Sequence, residues 1–295
     1  MTTTARTATL PDLASVAPVR PRRLGAALRR SPLSVAGAAL VLAFILMAAL
    51  APLLAPHAPD DLVARRLLAP QRAYPFGTDE FGRDILSRII WGARISLWVG
   101  VVSVGIGLAG GASLGLVSGY VGGRVDMLLM RVVDVLFSIP PIILAITLTG
   151  VLGPGLLNAT IAIGLVYLPT FARVARGPVL AVVAREYVEA ARSSGAGAGR
   201  VLRLHVLPNV AAPLIVQTTL ALSTAILAEA TLSFLGLGIQ PPDPSWGTML
   251  GTGRKYMELA PWVAIFPGAA VMLLVLGFNL LGDGLRDILD PRLRP

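Results

Sequence analysis

The 295-residue chain contains no cysteine, which excludes disulfides, thiolate metal sites and a cysteine nucleophile. It has two histidines, His57 and His205, too far apart in sequence to suggest a histidine-based metal centre. Its single lysine, Lys255, is followed by Tyr256. The phosphate-cradling pattern G-x-x-x-x-G-K-[ST] needs a lysine followed by Ser or Thr. The chain therefore has no such loop and no ATP site of its own. Charge is also scarce: 14% of residues are Asp, Glu, Lys or Arg, against roughly 25% in soluble domains. With 55% hydrophobic residues, the expected solvent is the bilayer. The net charge of +9 then reads as basic loops on the inner membrane face, not as a nucleic-acid surface.

A membrane-crossing helix needs about 20 apolar residues. Candidate spans lie at Leu33–Leu54, within Ile95–Gly123, at Met127–Leu152, Leu156–Val174 and Val210–Phe234, and within Leu259–Gly282. The third and fourth come from one charge-free run split at Gly153-Pro154-Gly155, because Gly and Pro together punctuate helices. The expected fold is an all-α, polytopic membrane bundle with six transmembrane helices and both termini on one side. Residues 1–30 read as a basic, disordered cytoplasmic tail ending in Arg20, Arg22, Arg23, Arg29 and Arg30, and 31–295 as the membrane domain. The segment 57–94 is the expected outside loop and 173–209 the inside one, where Arg173, Arg176, Arg185, Arg192, Arg200 and Arg203 outnumber Glu186 and Glu189. That imbalance, with Arg286, Arg292 and Arg294 at the other end, follows the positive-inside rule. The stretch Asp84–Trp91, with Ile85, Leu86, Ile89 and Ile90 on one side, is expected to lie on the outer membrane surface.

Four glycines, Gly107, Gly111, Gly115 and Gly119, recur every fourth residue of the second span. They fall on one helical face, where small residues let another helix approach closely. The same stretch matches the serine-nucleophile pattern G-x-S-x-G at Gly111–Gly115. Ser113 has no His or Lys within a span to act as its base, so the enzyme reading is set aside. Asn158-Ala159-Thr160 fits a glycosylation acceptor but begins a span and is read as coincidence.

Ionisable groups inside a membrane are costly and usually face the bundle interior or a water path. Asp134, three residues after Arg131, and Glu229 are two such groups. With Ser138 they are candidates for a pathway or gating role, the alternative being a buried hydrogen bond between helices. In the inside loop, Glu186-Tyr187-Val188-Glu189-Ala190-Ala191-Arg192 reads as a short helix stopped at Gly195, with its acids at the favourable dipole end. The Ala190-Ala191 pair leaves a low surface able to enter a partner's groove.

Glu189-Ala190-Ala191, Gly195 and then Leu207-Pro208 resemble the EAA loop of ATP-binding-cassette importer permeases. The likeness extends to Phe76-Gly77-Thr78-Asp79, Gly82-Arg83-Asp84, Met130-Arg131, Ser138-Ile139-Pro140, Ala228–Gly238, Pro244-Ser245-Trp246-Gly247 and Asp283–Pro291. In this order they resemble the dipeptide/oligopeptide/nickel branch, in its OppC/DppC-like subunit, over nearly all of Arg23–Leu293. The resemblance implies a permease without catalytic, metal or cofactor residues of its own. Its expected partners are a homologous second permease in a heterodimer, two ATP-binding subunits supplying ATP and Mg, an extracytoplasmic solute-binding protein and membrane lipid. It implies that Glu186, Glu189, Ala190, Ala191, Arg192, Gly195, Leu207 and Pro208 couple the chain to an ATPase. A gradient-driven secondary transporter is the alternative, and would call for paired inverted repeats with broken helices at matching positions. One departure from the family is Ala196-Gly197-Ala198-Gly199, which leads us to expect a softer end to the loop helix.

Overall fold

This computed structural model describes residues 32–289, so the expected tail 1–30 and Arg292 and Arg294 lie outside the described residues. Among these residues there is no strand, only isolated bridges such as Leu62↔Arg83 and Thr78↔Asp84. Helix α1 (Pro32–Ala49) is followed by a single turn at Ala51–Leu54. Next come α2 (Ile85–Val121), α3 (Gly123–Phe137), α4 (Pro141–Leu152) and α5 (Leu156–Val183). The chain continues as α6 (Glu186–Ser193), α7 (Ala198–Phe234), α8 (Trp246–Gly253) and α9 (Trp262–Leu289). Helices α1, α2, α5, α7 and α9 are each long and apolar enough to cross a membrane. A sixth span exists only if α3 and α4, bent by 89° at their junction, are counted together.

That bend divides the span expected at Met127–Leu152 into two helices, α3 and α4. The junction is Ser138-Ile139-Pro140-Pro141. Two consecutive prolines remove two backbone donors and push the residues before them out of helical geometry. A second correction concerns Asp84–Trp91, which is no surface helix but the opening of α2. Nothing between Trp91 and Ile95 breaks a helix, and Asp84 caps the start by accepting the Ser87 N–H at 3.0 Å. Ile85, Ile89 and Ile90 are buried rather than spread on a membrane surface, and Ile85 and Ile89 pack in one apolar cluster with residues of α8 and α9. At 37 residues, α2 is about 55 Å long, which exceeds the roughly 30 Å hydrocarbon core. α5 and α7 likewise run past their expected ends, so much of 173–209 is helical.

The bundle closes around two apolar clusters. One joins α2, α5 and α7 through Val99, Val104, Ile163, Phe171, Val179 and Leu232. The other joins α1, α8 and α9 to the start of α2 through Phe44, Ile85, Trp246, Leu274 and Phe278. The glycine face decides how closely α2 approaches α5. A methyl group at Gly107 would lie 2.7 Å from the Tyr167 Cβ, one at Gly111 2.7 Å from the Phe171 Cβ, and one at Gly119 2.8 Å from Val179 Cγ1. At Gly111 and Gly115 it would also overlap the carbonyl oxygens of Leu168 and Ala172.

Candidate functional site

α6 is seated on one end of the bundle with its outer face exposed. Its one buried residue, Val188, packs with Val182, Val201 and Val206 from the end of α5 and the start of α7. Glu186, Glu189 and Ala190 are exposed and Ala191 is half-buried. Arg192 lies over the Tyr120 ring at 4.7 Å, tying α6 to the last turn of α2. Gly195 closes the helix with a left-handed turn at φ +83°. The Gly195 N–H donates to the Arg192 carbonyl at 2.9 Å and the Ala196 N–H to Ala191 at 3.0 Å. That paired arrangement is a firm C-terminal cap. The softer end expected from Ala196–Gly199 is therefore corrected: the glycines follow a closed cap instead of loosening it.

Leu207 and Pro208 are exposed on α7, next to a wide helical turn at Leu202–Val206. Pro208 has no N–H to give to the preceding turn, and the Leu207 N–H reaches back five residues to Leu202. α6, its closed cap at Gly195 and this first part of α7, with its wide turn, together form an elbow at one end of the bundle.

Two ion pairs brace α3 against α5 near this end. Asp126 receives Arg176 Nε and Nη2, both at 2.6 Å, and also the Ser118 hydroxyl from α2. Asp134 receives Arg173 Nη2 at 2.6 Å, with the Arg173 guanidinium 3.9 Å over Phe137. Asp134 thus pairs across helices, not with Arg131 along its own. Both members of that second pair are about half exposed. We expect Asp134→Asn to change unfolding free energy by less than about 1 kcal/mol, as exposed pairs do. Asp126→Asn, which disturbs a forked contact joining three helices, should lose about 2 kcal/mol. Melting of both variants in lipid nanodiscs checks the order.

Glu229 lies in α7 and is 1% exposed. Three serine hydroxyls donate to its carboxyl: Ser96 of α2 at 3.1 Å, Ser233 at 2.9 Å and Ser245 at 3.0 Å. Ser245 also caps α8 by accepting the Gly247 N–H. A 410 Å³ apolar groove between α4, α5 and α7 is lined by Ile142, Ala145, Tyr167, Thr224, Leu227 and Thr231, and not by Asp134, Ser138 or Glu229. Ser138 is exposed and bonds only its own turn, at the Val135 carbonyl. Ser113 sits in mid-α2 beside an apolar groove, without the strand-to-helix elbow that a serine nucleophile uses. The Asn158 amide donates to the Leu152 carbonyl at 2.8 Å, closing the end of α4.

The segment between α1 and α2 is a compact, hydrogen-bonded fold of its own. Thr78 donates to the Arg65 carbonyl and accepts the Leu68 N–H. Asp79 accepts the Phe81 and Arg83 N–H groups at 2.9 Å and Arg83 Nε at 2.6 Å. Burial pushes the Glu80 carboxyl above its ordinary value; its own backbone N–H and the nearby Arg83 and Arg88 work against the push. Sequence reading missed the buried Arg88 altogether. The signal present was a charge inside an otherwise apolar helical face, Ile85-x-x-Arg88-Ile89-Ile90.

Long apolar helices, a glycine-mediated helix contact and an exposed, braced elbow define a multi-pass membrane bundle that presents a short exposed helix at one end. Two family models match this chain: "Binding-protein-dependent transport system inner membrane component" over residues 111–295, and "N-terminal TM domain of oligopeptide transport permease C" over 23–70. The chain belongs to this family of binding-protein-dependent transport permeases and is a permease subunit of an ABC importer. It is 46% identical over 268 residues to the dipeptide transport system permease protein of Alkalihalophilus pseudofirmus, covering 90% of this chain and 88% of that one. It is 47% identical to the di/tripeptide transport system permease protein of Pseudomonas aeruginosa, covering 88% of each. It is 46% identical to a probable D,D-dipeptide transport system permease protein of Escherichia coli, covering 90% of this chain and 89% of that one. Among solved structures, a chain of the inward-facing MetNI methionine ABC transporter matches with TM-score 0.58 at 20% identity, covering 70% of this chain and 98% of that chain. This last likeness is one of fold. Membership of the family sets aside the gradient-driven reading.

Proposed function

We propose that this chain forms half of the translocation pathway for peptides or similar small solutes, and that α6 is the surface on which an ATPase subunit docks. The observation that carries the docking assignment is α6 itself. It is an eight-residue helix with an acidic first turn, a small outer face and a closed C-terminal cap, seated on the bundle through Val188 and Arg192. A helix built this way transmits a push instead of absorbing it. Ala190 and Ala191 let a partner surface approach closely, while Glu186 and Glu189 offer charge to it. The peptide cargo follows the names of the relatives.

In this reading the elbow end is cytoplasmic, the 57–94 segment is outside, and both termini are cytoplasmic. The partners are a homologous but different permease, two ATPases that bind ATP and Mg, and an extracytoplasmic binding protein. Closure of the ATPases moves α6, and the elbow passes that motion to α5 and α7. Such switching needs a bundle with two packings and stiff levers. The groove lined by Tyr167 and Thr224 is this chain's wall of the pathway. Glu229 is a structural node, not a gate.

The test is Glu189→Ala and Gly195→Val in the reconstituted importer. Gly195 adopts a left-handed conformation that costs a side-chain-bearing residue about 1–2 kcal/mol. Both variants should insert normally and lose about tenfold in uptake and in ATP hydrolysis stimulated by loaded binding protein. Tenfold is the factor produced by about 1.4 kcal/mol of lost docking energy. Full ATPase stimulation in either variant would overturn the assignment of α6.

A further inference from the structure

α3 leaves the direction of its neighbours. α4 runs antiparallel to α5: the Asn158 amide meets the Leu152 carbonyl at one end, and Pro141 and Tyr167 line one groove at the other. α3 is bent from α4 by 89°, so it crosses α5 steeply. The two ion pairs agree with this. Asp126 and Asp134, eight residues apart on α3, meet Arg176 and Arg173, three apart on α5. At 1.5 Å per residue these spacings are about 12 Å along α3 and about 4.5 Å along α5. Counted from the start of α5 at Leu156, Arg173 and Arg176 lie about 26 and 30 Å along the helix. That is where a hydrocarbon core of roughly 30 Å ends. α3 therefore lies across the bundle at the level of the membrane surface, at the elbow end.

The faces of α3 are divided. Val133 is its one buried residue, and both its acids, Asp126 and Asp134, are spent on α5. The outward sector carries Val125, Leu128, Val132 and Val135, which are between 40% and 67% exposed. Beside that stripe stand Arg124 and Arg131, both exposed. They are seven residues apart and so share one helical face. Among the described residues neither makes an ion pair or a hydrogen bond. An apolar stripe flanked by unpaired arginines is the pattern of a helix lying in the membrane interface, with its apolar sector in the acyl boundary and its guanidinia among headgroups. The free charge on this face is all of one sign, which the phosphate of an anionic lipid complements.

We propose that α3 is an interfacial helix whose outer face binds anionic phospholipid, with Val125, Leu128, Val132 and Val135 in the acyl boundary and Arg124 and Arg131 on headgroup phosphates. Lipid held there backs the α3–α5 brace from its outer side, next to the elbow. The site is the same whichever side of the membrane the elbow end faces, and it does not depend on the cargo.

The test exploits the absence of cysteine from the chain. Leu128→Cys and Val135→Cys, made singly in the full chain, each take a bimane fluorophore, and the labelled chains are placed in lipid nanodiscs. Quenching by lipids brominated at different acyl positions reports the depth of each label. Both labels should be quenched, most strongly by shallow bromines, and their depths should agree within about 4 Å. An upright α3 would separate them by about 10 Å, seven residues of helical rise. At equal mole fraction, brominated phosphatidylglycerol should be enriched over brominated phosphatidylcholine about fivefold for each guanidinium. Arg124→Gln combined with Arg131→Gln alters two unpaired, exposed groups. It should abolish that preference while depth and melting temperature stay unchanged. Depths about 10 Å apart, no quenching at either label, equal quenching by the two lipids, or a preference that survives the double substitution overturns the proposal. So does quenching that disappears once the chain is reconstituted with its partner subunits, since the face is then a protein interface.

Discussion

Gly115→Ala is expected to destabilise the bundle by about 3 kcal/mol, the upper part of the usual range for overpacking a core. The added methyl group would overlap the Ala172 carbonyl oxygen and stand 2.8 Å from the Ala175 Cβ. One obstacle is backbone and the other is a Cβ, so no rotamer change relieves either. α2 and α5 must move apart along their longest shared face. In a membrane this is poorly compensated, because lipid tails are as apolar as the side chains and helix association relies on close packing. Gly105 is the internal control: a methyl group there meets nothing within 4 Å, so Gly105→Ala should be neutral or slightly stabilising through helix propensity. Thermal unfolding of both variants in nanodiscs provides the comparison. Equal melting temperatures would show that the α2–α5 approach is not limited by Gly115.

The second large effect is expected at Glu229. Glu229→Ala removes the acceptor shared by Ser96, Ser233 and Ser245 and leaves a cavity where α2, α7 and the cap of α8 meet. The lost side-chain volume and the stranded hydroxyls together should cost about 4 kcal/mol. Glu229→Gln keeps the volume and one acceptor oxygen, so it should cost less than half as much. The two variants also separate a node from a gate. For a node, transport falls in step with stability, and Glu229→Gln keeps most of its uptake. Uptake abolished in Glu229→Gln at an unchanged melting temperature would make Glu229 part of the gate.

Much of this was legible in the amino-acid sequence, for reasons that can be located. Gly153-Pro154-Gly155 marks a real break because such residues act locally, and Gly153 and Gly155 both adopt positive φ there. The loop helix was readable because Glu186, the alanines and Gly195 supply an acidic start, a helical middle and a stop within ten residues. Less legible were features that depend on partners distant in the chain. Nothing around Glu229 states that Ser96, 133 residues earlier, donates to it. Nothing around Asp134 states that its partner is Arg173 instead of Arg131. The joining of Asp84–Trp91 to α2 was missed because its amphipathic pattern fits a surface helix as well as a helix buried on one side. Which applies depends on Trp246, whose indole N–H donates to the Ile89 carbonyl at 3.0 Å.

The sequence by itself determined the solvent, the lack of a lysine-containing phosphate-loop pattern and the approximate helices. These follow from composition and from interactions within a few residues, chiefly hydropathy, glycine spacing and proline. Only the tertiary structure decided that α3 and α4 form a sharply bent pair. The prolines allow a break, but the packing of α3 against α5, pinned by Asp126 and Arg176, sets where the chain goes after it. It also decided which charges are spent and which stay open. Asp79 and Glu229 accept hydrogen bonds from several donors, whereas Arg88 Nε is buried without an acceptor, 3.6 Å from the Asp79 carboxylate. That distinction rests on distances between residues far apart in the chain, which no local pattern encodes.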